Sequence, residues 1–230
     1  DTKALLIAAV FHAEGRLKLR AVIANGGGQA VERAALALAL LDHLRVDVPV
    51  GVGSAGEPYE PSGHEYALAG VCVDAARPRL RDGRALLART LEDAADNELT
   101  VVCISSLRDF ADACRDSPEL VLRKVRQLSV MGGLRADTRA AGGWAADDAV
   151  NNRFDLAAAD AVYAFCFKRG LPLLLTSRHA VPMLAMQLAR SFALCSECPV
   201  RATRERARGA AGGGAHPRAA HVRDPLPACR

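Results

Sequence analysis

Leu99-Thr-Val-Val-Cys-Ile104, Ser105-Ser-Leu-Arg-Asp109, Phe110-Ala-Asp-Ala-Cys114, Pro118-Glu-Leu-Val-Leu-Arg123, Val125-Arg-Gln-Leu-Ser-Val130 and Met131-Gly-Gly133 form the stretch that decides the fold. Its first segment is a short, bounded apolar run rich in β-branched residues, which reads as a buried parallel strand. A turn and broken helical patterning follow, and then a second strand. Strand, crossover and strand make a parallel β-α-β unit. Gly132 and Gly133 fall just beyond the second strand, where open α/β sheets place their ligands. They either turn the chain or let backbone approach a ligand closely.

Outward from this unit the same alternation continues. Ala4 to His12 is an apolar helical stretch, and Leu17 to Ile23 a strand with Asn25-Gly-Gly-Gly28 at its end. Ala30 to Leu44 is a helix, and Val46 to Val50 a short strand whose Pro49 makes its beginning irregular. Gly51 to Arg81 is a surface excursion, and Gly83 to Ala95 the helix entering the central unit. Beyond Gly133, Leu134 to Ala149 reads as loop carrying the single tryptophan, Trp144. Asp155 caps a helix to Lys168, Leu171 to Thr176 is a strand, and Val181 to Ala193 is a helix. The pattern predicts an α/β fold, a mostly parallel sheet in a three-layer Rossmann-like arrangement.

Composition narrows the function. The 230 residues are 50% hydrophobic and only 4% aromatic, so the core rests on Leu, Val and Ala, with little for stacking on bases. The net charge of +4 is uneven: Arg201 to Arg230 holds seven arginines against Glu205 and Asp224. A nucleic-acid footprint over the whole domain is therefore unsupported. No apolar run is long enough to span a membrane and no signal peptide is visible, which predicts a cytoplasmic protein. Cys195-x-x-Cys198 fits no four-ligand zinc spacing with the later His216, His221 and Cys229.

Four positions invite chemistry. Asp1 reads as a helix-capping carboxylate or as a hard-metal ligand. Asn25 is a turn-former or an amide for substrate hydroxyls. Gly26, Gly27 and Gly28 lack the spacing of a nucleotide phosphate loop. Asn151 and Asn152 precede Asp155 and cannot both be caps, and a ligand would explain the one left over.

Taken together these landmarks resemble the inosine/uridine-preferring nucleoside hydrolase family. Asp1-Thr-Lys-Ala-Leu-Leu6 is similar to the end of its N-terminal Asp-rich signature, and Val22-Ile-Ala-Asn-Gly26 to its asparagine loop. Val48-Pro-Val-Gly-Val-Gly53 resembles its Pro-Val-x-x-Gly segment. Ser105-Ser-Leu-Arg-Asp109 stands for its Gly-Pro-Leu-Thr-Asn turn, ahead of the matching Met131-Gly-Gly133. Asn151-Asn-Arg-Phe-Asp-Leu-Ala-Ala-Ala159 resembles Asn-x-x-x-Asp-Pro-Glu-Ala-Ala, and Arg223-Asp-Pro-Leu226 a late His-Asp-Pro-Leu.

The resemblance implies hydrolysis of the N-glycosidic bond of ribonucleosides, as in purine and pyrimidine salvage, with a bound Ca²⁺. It implies Asp1 and Asp224 as calcium ligands, with Arg108 adding its backbone carbonyl. Asn25, Met131 and Asn151 become substrate-binding residues, the partner is a small-molecule nucleoside, and a homo-oligomer is allowed.

The chain also departs from the family pattern. The family's first strand and earlier aspartates are unmatched, Ala149 replaces a sugar-contacting glutamate, Arg108 a threonine, and Arg223 the late histidine. The domain expectation is accordingly residues 1–198 as a nucleoside hydrolase-like α/β domain lacking its first strand. Residues 199–230 form a basic low-complexity tail, mobile over Arg204 to His221. The functional expectation is weak Ca²⁺ binding and poor hydrolysis, with an inactive ribosyl-binding relative or an interaction scaffold as alternatives.

Overall fold

The computed structural model describes residues 2–56, 58, 66, 71–178 and 180. The helix expected over 181–193, the Cys195-x-x-Cys198 pair and the tail lie outside them.

The chain begins with helix α1 (Thr2–Ala13), strand β1 (Val22–Ala24) and helix α2 (Ala30–His43). Strand β2 (Val50–Val52), the short helix α3 (Val73–Ala76), strand β3 (Arg81–Asp82) and helix α4 (Gly83–Asp93) follow. The three strands pair in parallel in the order β1-β2-β3. The expected strand over 17–23 shrinks to its last two residues plus Ala24. Its partner β2 begins only at Val50, after Pro49, which has no N–H to give a ladder.

α2 is rich in Ala and Leu, strong helix formers, and its Ala34, Ala37, Leu38 and Leu41 enter a core cluster with Val48 and Val50. Residues alternate across a strand, so Gly51 faces the other way, toward Gly83 and Leu86 of α4. Helices therefore cover both faces of this ladder.

The central unit forms as expected, with strand β4 (Leu99–Cys103), helices α5 (Arg108–Asp116) and α6 (Pro118–Lys124), and strand β5 (Val125–Met131). Strand β6 (Leu134–Ala136), strand β7 (Trp144–Ala146), helices α7 (Val150–Arg153) and α8 (Leu156–Arg169), and strand β8 (Leu173–Thr176) complete the described chain. A second parallel ladder runs β4-β5-β8. Leu128 and Val130 are fully buried against Val121 of α6 and Val162 and Tyr163 of α8. Each such side chain gains roughly 1.5–3 kcal/mol from burial. The other face carries the register row Val102–Ser129–Leu174, with Val102 62% and Leu174 51% exposed.

The α/β fold with mostly parallel strands forms as expected, its parallel strands pairing in two three-stranded ladders. They are tied below by Arg20 to Glu98 at 2.6 Å, and above by Asn25 to Ser106. Leu134 to Ala149 is not simply loop, because β6 and β7 pair antiparallel, Leu134 opposite Ala146 and Ala136 opposite Trp144. Three-residue arms without β-branched residues give no alternation to read. The hairpin is instead held by backbone bonds at its ends, Asp147 N–H to the Gly133 carbonyl and Asp137 N–H to that of Gly143. No described helix is long and apolar enough to cross a membrane.

Candidate functional site

Groups at the C-terminal ends of β1 and β2 converge on Asp109, which follows β4 in the first turn of α5. Its Oδ1 accepts the Ser54 N–H at 2.9 Å, and its Oδ2 accepts Ser54 Oγ at 3.1 Å and the side-chain amide of Asn25. A Cβ on Gly53 would lie 2.6 Å from Oδ2, so a glycine is required where β2 ends. Asn25 is 8% exposed and also donates Nδ2 to the Ser106 carbonyl at 3.0 Å. Its backbone carbonyl accepts from Ser105 Oγ at 3.0 Å and from Arg33 at 3.2 Å. With Nδ2 doubly engaged, Oδ1 is the part of the Asn25 amide left for a ligand, and it is an acceptor.

A second cluster stands where β5 ends. Asn151, on α7, donates Nδ2 to the Met131 carbonyl at 2.8 Å. Asn152 is fully buried. Its Nδ2 donates to the Gly133 carbonyl at 3.0 Å and to Asp147 Oδ1 at 2.9 Å, and its Oδ1 accepts Tyr163 Oη at 3.0 Å. The asparagine left over after capping is thus accounted for by the fold itself: Asn152 locks the Gly132–Gly133 bend. Burial pushes the Tyr163 phenol upward, so it stays a donor. Asp155 caps α8 as expected, accepting the Ala158 N–H at 2.9 Å.

Phe154 joins the two clusters. A Cβ on Gly26 would lie 3.5 Å from its ring, and the Arg33 guanidinium carbon stands 5.6 Å from the ring centre. The loop after β1 and the segment carrying Asn151 therefore meet at one edge.

Of the metal-ligand residues implied by the resemblance, Asp1 and Asp224 lie outside the described residues. Arg108 is the first residue of α5, so its carbonyl is taken by the helix ladder. Its guanidinium binds Asp112 at 3.1 Å and Asp155 at 3.2 Å, and these hydrogen bonds raise its pKa. Among the described residues no three His, Cys, Asp or Glu side chains gather to hold a metal ion. Ca²⁺ takes six to eight oxygens, and both oxygens of Asp109 are already engaged. The described residues alone do not fit a calcium cage.

Sequence reasoning did not single out Ser54, Arg33, Asp147 or Tyr163. Asp109 entered only as the end of a matched motif. The hydrogen bond between Asn25 and Asp109 spans 84 residues, a relationship no local pattern carries.

The family model for inosine-uridine preferring nucleoside hydrolase matches residues 1–226. Among solved structures, the chain is similar to the type III effector protein XopQ complexed with adenosine diphosphate ribose. The identity is 28% and the TM-score 0.59, over 75% of this chain and 52% of that one. It is similar to the effector protein XOO4466 at 27% identity and TM-score 0.59, over 75% and 50%. A purine-preferring ribonucleoside hydrolase from Gardnerella vaginalis shares the fold at 17% identity and TM-score 0.55, over 76% and 57%. The chain thus spans about half the length of these structures. No curated protein matches it.

Proposed function

Because the chain belongs to the inosine-uridine preferring nucleoside hydrolase family, we propose that it binds a ribosyl ligand at the C-terminal edge of its parallel strands. The observation that carries this reading is the shared state of two asparagines. Asn25 and Asn151 each have Nδ2 tied to a backbone carbonyl, of Ser106 and Met131 respectively. Each has Oδ1, an acceptor, without a hydrogen bond among the described residues, which suits the hydroxyl donors of a sugar. The adenosine diphosphate ribose carried by the effector XopQ is a ligand of the same class.

Hydrolysis of the N-glycosidic bond is the second reading, favoured by family membership. It needs a base for the water and negative charge beside an oxocarbenium-like sugar. Asp109 is the carboxylate at the Asn25 cluster, and it is spent on Ser54 and Asn25. Binding without appreciable turnover is the outcome this arrangement supports, with Ca²⁺ adding little.

Titration calorimetry with adenosine, alongside ribose release from inosine and uridine with and without Ca²⁺, tests both readings. Heat of binding with no ribose released is expected. Absence of binding by any ribosyl compound overturns the proposal, and multiple turnovers that depend on Ca²⁺ return the hydrolase reading to first place.

A further inference from the structure

All the described arginines are exposed except Arg20 and Arg33. Arg20 has its counter-charge in Glu98 at 2.6 Å. Arg33 makes no ion pair among the described residues, and its guanidinium is held instead by neutral groups. Nε donates to Tyr66 Oη at 3.1 Å, Nη1 donates to the Asn25 carbonyl at 3.2 Å, and Cζ stands 5.6 Å from the centre of the Phe154 ring.

A guanidinium carries five N–H donors, and two are spent here. The remaining three sit on Nη1 and Nη2, the ends that engage a phosphate or carboxylate as a fork. Among the described residues the carboxylates around it have other partners. Glu32 pairs with Arg77, Asp109 is engaged by Ser54 and Asn25, and Asp155 by Arg108 and the Ala158 N–H. A cation partly out of water with no described counter-ion is held at a cost in free energy, which an anion arriving beside it restores. That anion would arrive next to Asn25, the residue offered above for a sugar hydroxyl.

We propose that Arg33 recognises a phosphate carried by the ribosyl ligand, so that the site prefers phosphorylated ribosyl compounds to neutral nucleosides. This inference rests on the ribosyl-binding reading for the position of the phosphate, and on Arg33 alone for its charge. Arg33 also ties Tyr66 to the end of β1, and a purely structural clamp is the competing role.

The test is calorimetry on the full chain with three probes, adenosine, adenosine diphosphate ribose and inorganic pyrophosphate, at low and at moderate salt. The native protein is expected to bind adenosine diphosphate ribose at least tenfold more tightly than adenosine, with a margin that narrows as salt rises. Arg33→Gln should weaken adenosine diphosphate ribose and pyrophosphate at least tenfold and adenosine less than threefold. Arg33→Lys should recover part of the loss. Circular dichroism and a thermal melt establish that each variant is folded. Equal weakening of all three ligands by Arg33→Gln identifies a clamp and overturns the inference. Adenosine bound as tightly as adenosine diphosphate ribose overturns it while leaving the ribosyl reading in place. Pyrophosphate bound through Arg33 as tightly as adenosine diphosphate ribose, with no response to adenosine, shows an anion site that gains nothing from ribose and overturns both the inference and the ribosyl reading. Silence with all three probes removes both.

Discussion

Asp109, one residue into α5, accepts the side-chain amide of Asn25 from the end of β1, 84 residues earlier in the chain. The same carboxylate accepts the N–H and hydroxyl of Ser54 from the end of β2. One side chain thus ties together the ends of both parallel ladders and fixes which way the Asn25 amide faces. Removing it leaves several donors to find water or go unpaired. Asp109→Ala is expected to destabilise the protein by about 2–3 kcal/mol, since a hydrogen bond to a charged group is worth roughly 1.5–3 kcal/mol. Asp109→Asn keeps an acceptor for one donor and should cost less. Urea denaturation of the two variants checks the order, and an equal loss would mean that Asp109 acts by filling space.

Asn152 and Tyr163 should behave as a coupled pair. Tyr163 is fully buried, its hydroxyl donates to Asn152 Oδ1, and Asn152 Nδ2 reaches Gly133 and Asp147. Tyr163→Phe strands one acceptor at a cost of about 1–2 kcal/mol, while Asn152→Ala strands partners on both sides at about 3 kcal/mol. A double-mutant cycle is expected to return a favourable coupling of about 1 kcal/mol. Strict additivity would show that the bond contributes nothing.

The central β-α-β unit was legible because β4 is a short run rich in β-branched residues and β5 carries Val125, Leu128 and Val130, which enter the core. The helix after Asp155 was legible because Asp155 sits where a capping carboxylate belongs. The β6–β7 hairpin was not legible. Its arms are three residues long and lack β-branched side chains, and the backbone bonds at its ends specify it. Asn25 was visible as an amide at a strand end, and Asn151 as one of two adjacent asparagines ahead of a capped helix. Asp109 as the partner of Asn25, 84 residues away, was hidden because a contact across that distance leaves no local periodicity, and Arg33 beside the Asn25 carbonyl was hidden within an ordinary helical pattern. The second of the two adjacent asparagines looked like one left over for a ligand, since sequence does not show a tyrosine eleven residues after Asn152 turning its hydroxyl inward.

Three cysteines should be chemically silent in the folded protein. Burial pushes the thiols of Cys103, Cys114 and Cys166 from 9.0 up to about 12. Thiolate is the reactive form, so iodoacetamide at pH 8 should label them only after denaturation. A stability effect follows with a definite sign. Between pH 9 and 12 the unfolded chain releases protons that the folded thiols retain, so stability falls as pH rises through that window. Urea midpoints at pH 8 and pH 10 are expected to drop in that order, and by less in a variant with Cys114→Ala. Rapid labelling of any of these three in the native protein at pH 8, located by peptide mass mapping, would contradict the buried, neutral state.

Gly133 should tolerate substitution least among the glycines of the site. A Cβ there would lie 2.2 Å from Asp147 Oδ2 and 2.7 Å from its Cγ, distances that no side-chain carbon occupies. Asp147 cannot retreat easily. Its Oδ1 accepts the Ala149 N–H and Asn152 Nδ2, both at 2.9 Å, and its Oδ2 accepts Arg178 Nη2 at 3.3 Å. Its own N–H is bonded to the Gly133 carbonyl at 3.0 Å, so the clashing partners are also backbone-paired. Moving Asp147 aside to admit a methyl group would disturb all of these contacts. Overpacking a tight site costs about 1–3 kcal/mol, and the lost hydrogen bonds add about 1 kcal/mol each. Gly143→Ala is the control: its added Cβ meets nothing within 4 Å, although φ of +76° makes it strained. That strain alone costs roughly 1–2 kcal/mol. Gly133→Ala is therefore expected to lower stability by about 3 kcal/mol or more in urea denaturation, clearly beyond the control. It should also weaken ribosyl binding, because the Gly133 carbonyl anchors Asn152, the neighbour of Asn151 on α7. Equal losses for the two variants would show that Asp147 yields freely and that the bend does not hold the site in place.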